Sequence, residues 1–148
     1  MVKRVKTDDL IEMLLDFYPF LTRELIIPSA TSYILPTLQE VTEAVKRNSV
    51  AHFQARKNVM ECEKFSLFLR AAILRERDTN WKSLPEDERH SWFLGEAYGF
   101  KRDKFSKGTS HKKDLVITSD AGIIEIEPQT DVIRPADEKK FSVFIFIV

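Results

Sequence analysis

The last eight residues, Phe141-Ser142-Val143-Phe144-Ile145-Phe146-Ile147-Val148, limit the possible folds more than any other stretch. All but Ser142 are aromatic or β-branched, the residue types that fit a pleated, packed surface. Such a strand on an open edge would template aggregation, so it is expected to be paired inside a sheet. Partners lie upstream. Trp92 to Phe100 is aromatic-rich and strand-like, and Leu115-Val116-Ile117 and Ile123-Ile124-Glu125-Ile126 are two further strands. Thr118 to Gly122 joins the last two with hairpin chemistry.

Before about residue 78 the apolar period changes from two to that of a helix. Leu10, Met13, Leu14 and Phe17 form an i, i+3, i+4, i+7 stripe, with Asp8 as a plausible N-cap and Pro19 after the end. Residues 25–36 hold two prolines and a Ser/Thr cluster and read as an extended connector. Thr37 and Glu40 have capping-box spacing and open a helix to about Asn48. Asn58 and Glu61 repeat that spacing before a helix to about Arg77. Its apolar residues cover most of the circumference, which predicts a central, buried helix. Helices first and antiparallel strands second give an α+β class.

Composition removes several functions. Lys+Arg and Asp+Glu each number 23, so no bulk positive charge serves a nucleic acid. One cysteine excludes an intramolecular disulfide and a CxxC zinc site, and no metal site is expected. No phosphate-cradling glycine motif occurs. No apolar run reaches the length of a membrane span. The opening residues lack a signal-peptide core, so a cytoplasmic location is expected. A length of 148 residues suits one domain.

Three residues could carry chemistry together. Cys62 falls in the first turn of the 58–77 helix, where amides and the helix dipole favour a thiolate. Glu61 and Glu63 beside it work the other way. A lone buried cysteine is also a common small hydrophobe. His111 precedes the Leu115 strand, where a base can face a helix start across a cleft. Glu127 ends the partner strand and is a candidate to orient the imidazole. If Asp120-Ala121-Gly122 is the hairpin loop, Leu115 faces Glu127 and His111 lies roughly 13 Å along the strand. If the loop spans Ile117 to Ala121, His111 sits opposite Glu127; a bonded pair therefore predicts the longer loop. The Cys62 amide and the Gln54 side chain are the candidate oxyanion donors.

Ile34-Leu35-Pro36-Thr37-Leu38-Gln39-Glu40, Cys62-Glu63-Lys64-Phe65, Ser110-His111 and Ile126-Glu127-Pro128-Gln129-Thr130 occur in this order. Together they resemble the papain-like cysteine-peptidase domain at the C-terminus of lectins of the Marasmius oreades agglutinin type and its bacterial and phage relatives. The resemblance covers about residues 33–148. It leaves 1–32 as an N-terminal helical extension and connector. It implies a papain-like fold in which Cys62 attacks an amide carbonyl to form a thioester, His111 moves the proton and Glu127 holds the imidazole. A peptide or protein substrate follows, with neither nucleic acid nor membrane as partner. Calcium dependence is implied by the family alone, and no calcium ligands map onto this chain. The sugar-binding β-trefoil has no counterpart here. Lys112-Lys113-Asp114 after the histidine and Lys64 after the cysteine depart from the family pattern. The alternative is therefore a catalytically inactive papain-like fold acting as a protein-interaction module, served by its aromatic residues.

Overall fold

A computed structural model of the chain describes residues 3–53, 61–101 and 109–148. The elements run β1 (Lys3–Lys6), α1 (Thr7–Phe17), β2 (Ile26–Ile27), β3 (Ser32–Leu35), α2 (Leu38–Arg47), α3 (Cys62–Thr79), β4 (Leu94–Lys101), β5 (Thr109–Thr118), β6 (Gly122–Glu127), β7 (Val132–Pro135) and β8 (Phe141–Ile147). Helix and sheet mix as an α+β chain. Strands β1 and β3 pair antiparallel, and the other six form one sheet in the order β2-β8-β4-β5-β6-β7.

The terminal strand β8 lies inside that sheet, parallel to β2 and antiparallel to β4. A register shift between Tyr98 and Gly99 breaks its alternation, because Ile145 opposes Tyr98 and Val143 opposes Gly99. The additional residue is Phe144, which stacks on Phe100 at 5.1 Å. On either side of this bulge Phe141, Val143, Phe146 and Val148 all pack into one cluster with Leu10, Leu14 and Tyr18 around α1. The opposite sheet face holds Leu94, Val116, Ile124 and Ile126 against Val41 and Val45 of α2 and Phe65, Leu69 and Ile73 of α3. Helices thus cover both faces, and each face has its own apolar cluster.

Several local expectations need correction. The N-terminal half is not purely helical, because it also supplies β1, β2 and β3. Residues 3–27 are part of the α1-side core: Leu10, Leu14, Tyr18, Leu21 and Ile26 are all buried in it. Lys6, not Asp8, is the N-cap of α1, and Asp8 and Asp9 sit in the first turn, where they suit the helix dipole. Helix α3 begins at Cys62 with Glu61 as N-cap; Asn58 lies outside the described residues. It is not buried all round, since Leu67 is 45% and Phe68 44% exposed. A helix lying on a sheet buries one face, however apolar the other is. The Thr37–Glu40 capping box is present with both of its bonds. Among the described residues no helix is long and apolar enough to cross a membrane.

Candidate functional site

Strand β5 carries His111 at a position opposite Gly99 of β4. A Cβ on Gly99 would collide with the Ser142 carbonyl and the Phe141 ring, so the glycine makes room for that ring. The Phe141 ring stands edge-on to the imidazole, with centroids 6.2 Å apart. On the other side His111 Nε2 meets Glu127 Oε2 at 2.7 Å. Both side chains are largely buried, at 14% and 19% exposure.

The pair forms without either hairpin register expected from sequence. Thr118 opposes Gly122, so Ser119-Asp120-Ala121 is the loop and Lys113 is the residue opposite Glu127. His111 reaches the carboxylate diagonally, from two positions along the same face. Burial pushes the Glu127 carboxyl up. The His111 hydrogen bond and charge, the Gln129 amide and Lys113 outweigh that and hold it below its ordinary value.

Period two continues the polar row. Lys113, on the same face as His111, donates to Glu125 Oε1 at 2.8 Å and lies 4.9 Å from the Phe141 ring centre. Glu125 Oε2 accepts from the Asp137 amide. Two adjoining cavities of about 220 and 550 Å³ share Lys113, Glu125 and Arg134. Glu127 and Lys101 line one, and Lys140 and Glu138 the other. Among the described residues no ion pair engages Lys101, Arg134 or Lys140.

Cys62 is the first residue of α3 and is partly buried. Among the described residues its thiol makes no hydrogen bond, whereas His111 is bonded to Glu127. The β5 side chain that reaches the first turn of α3 is Lys112, whose Nζ donates to the Glu63 carbonyl at 3.3 Å. Lys112 has the opposite parity to His111 and projects from the other side of the strand. Behind it lies a buried charged cluster. Glu96 binds both Lys112 and Arg70. Burial works to lower the Lys112 ammonium, but its bond to Glu96, together with Tyr98, raises it overall. Asp114 is fully buried, accepts from Ser66 at 2.8 Å, and has one carboxylate oxygen with no partner among the described residues. Burial raises its pKa well above the ordinary carboxylate range, and the Ser66 bond opposes this. Gln54, the candidate oxyanion donor, lies outside the described residues. No group of three or more metal-ligating side chains occurs among those described.

Sequence reasoning missed Lys113, Glu125 and Arg134. The signal was available for the first two: positions 111 and 113 share a face of β5, and 125 and 127 share a face of β6.

No protein-family model and no curated protein matches this sequence. Solved structures do match its fold. One, described as the PSL1a-E64 complex, superposes with a TM-score of 0.77 at 14% identity, over 98% of this chain and 51% of that one. Another is a Polyporus squamosus lectin bound to a human-type influenza-binding epitope, with a TM-score of 0.76 at 12% identity, over 98% of this chain and 49% of that one. The chain therefore spans about half the length of these two chains. At such identities the likeness establishes the fold alone. The cysteine-peptidase and hydrolase readings are corrected accordingly: the fold neighbours are lectins, and no hydrogen bond joins Cys62 to His111 among the described residues.

Proposed function

We propose that this chain is a non-enzymatic interaction module on an inactive papain-like frame, and that it binds a polypeptide partner along the groove beside His111 and Glu127. The observation that carries this reading is the parity of β5: Lys112 reaches the Glu63 carbonyl in the first turn of α3, while His111 projects from the other side of the strand and bonds Glu127 at 2.7 Å. The fold likeness to lectins supports a binding role over a catalytic one. The bound epitope of the Polyporus lectin does not transfer directly, because about half of that chain lies outside the match.

The groove favours an acidic partner. Glu127 is taken by His111 and Glu125 by Lys113, whereas Lys101, Arg134 and Lys140 have no ion-pair partner among the described residues and outnumber Asp137 and Glu138, the lining carboxylates likewise without one. Exposed cations of this kind attract and orient a partner more than they tighten it, and salt screens them.

The test combines peptide arrays of acidic and neutral sequence with incubation on unfolded casein. Saturable binding of acidic peptides is expected, weakened at least about tenfold by Arg134→Glu, with the casein left intact. Casein cleavage that Cys62→Ala abolishes would overturn the reading, and so would peptide binding that ignores Arg134→Glu.

A further inference from the structure

The loop after α3 builds a second cavity that shares no residue with the groove. Trp81 opens a short 3-10 turn, and a cavity of about 380 Å³ lies against it, lined also by Leu74, Asp78, Glu88, Arg89 and His90. A volume of this size falls in the usual range of small-molecule sites. Trp81 is 47% exposed. A half-exposed indole in a loop is costly unless the loop is held, and here it is. Arg89 donates to the carbonyls of Leu84 and Lys82, and its guanidinium lies 5.0 Å from the Trp81 ring. Arg77 donates to the carbonyls of Glu88 and His90 and lies 4.6 Å from the buried Trp92 ring. The two arginines thus fix the loop and the indole before any ligand arrives, which cuts the ordering cost of binding.

We infer that this Trp81 cavity is a binding site for a neutral saccharide ring. Arg89 covers one face of the Trp81 indole, and the C–H face of a pyranose would lie flat on the other, electron-rich face. Its hydroxyls need acceptors, and Asp78 and Glu88 line the cavity with side chains that make no hydrogen bond among the described residues. Asp78 and Glu88 balance Arg77 and Arg89 in the lining, so the cavity carries no net charge to select an anion or a cation. An uncharged, hydroxylated ring with one apolar face satisfies all of these groups. The inference stands on different residues from the groove reading, so either can fail alone.

Two-dimensional NMR of the full chain tests it, because Trp81 and Trp92 are its two tryptophans and give separate indole signals. Glucose, galactose and N-acetylglucosamine are titrated to tens of millimolar, with glucose 6-phosphate as the anionic control. At least one neutral sugar is expected to shift the Trp81 indole and the His90 and Ser91 amides saturably, and to leave the Trp92 indole unmoved. Trp81→Ala and Glu88→Gln should each weaken that binding by at least about fivefold, since hydrogen bonds and aromatic contacts of this kind act through a few groups. An unchanged Trp92 signal reports that the variants are folded. No saturable shift with any neutral sugar would overturn the inference. So would equal binding of glucose 6-phosphate, or amide shifts that survive both substitutions.

Discussion

Two carboxylates on opposite faces of the sheet respond to pH in opposite senses. Glu127 is held below its ordinary 4.5, against burial, by His111 and its neighbours. Its stabilising contribution is complete above that value and is lost as pH falls through the lower folded value. Asp114 is raised above its ordinary 3.8 by burial. It keeps its proton in the folded state where the unfolded chain has released it, so stability falls as pH rises from 3.8 towards the folded value. Urea midpoints measured across acidic pH should therefore lose one slope in Glu127→Gln and the opposite slope in Asp114→Asn. His111→Ala should cost about 1–3 kcal/mol at neutral pH, because it strands a largely buried carboxylate. At this scale the sequence was readable in part. It pointed to His111 and Glu127 as partners, because both flank one hairpin. It misjudged how they meet, because a diagonal contact needs the register, and register depends on the loop. The buried pairing of Asp114 with Ser66 was not readable, since it joins residues 48 apart through tertiary packing.

Elements were legible where a local signal acts alone. The Thr37 capping box is such a signal, and Thr37→Ala should cost about 1 kcal/mol in a urea melt. Helix α3 shows where composition misleads. Its apolar residues run round the helix, but the sheet offers only one surface to pack against. Leu69, fully buried, should cost about 2–5 kcal/mol when cut to alanine. Phe68→Ala on the outer face should cost much less, with change in the urea midpoint as the readout for both. Strand β8 was expected inside a sheet from its β-branched and aromatic run, and it is there. Its bulge was not foreseen, because the extra residue is defined only against β4. The bulge and Gly99 serve the same corner. Gly99→Val should destabilise the chain and disturb the His111 environment together, since its side chain would displace the Phe141 ring. The imidazole NMR signals report the second effect.

Across the whole molecule, the sheet keeps two sets of polar groups apart. On the α1 side Glu127, Lys113 and Glu125 line an open groove, and His111 bonds to Glu127 beside it. On the α3 side Lys112, Glu96, Arg70 and Asp114 are packed under the helix that begins with Cys62. The sequence placed Cys62 at a helix start, which holds, and His111 before the Leu115 strand, whereas β5 begins at Thr109 and contains it. What linear spacing did not contain was the strand parity that turns Lys112, not His111, towards the first turn of α3. The fold matches lectin structures across nearly its whole length while the identity is 14% or less. A shared architecture at that identity carries no shared site with it. The central claim is that Cys62 and His111 do not act as one unit. The most direct measurement is the rate of Cys62 alkylation by iodoacetamide across pH in the wild type and in His111→Ala. Superimposable profiles are predicted. A rate that collapses in His111→Ala while the protein stays folded would show an imidazole-activated thiol and contradict the account.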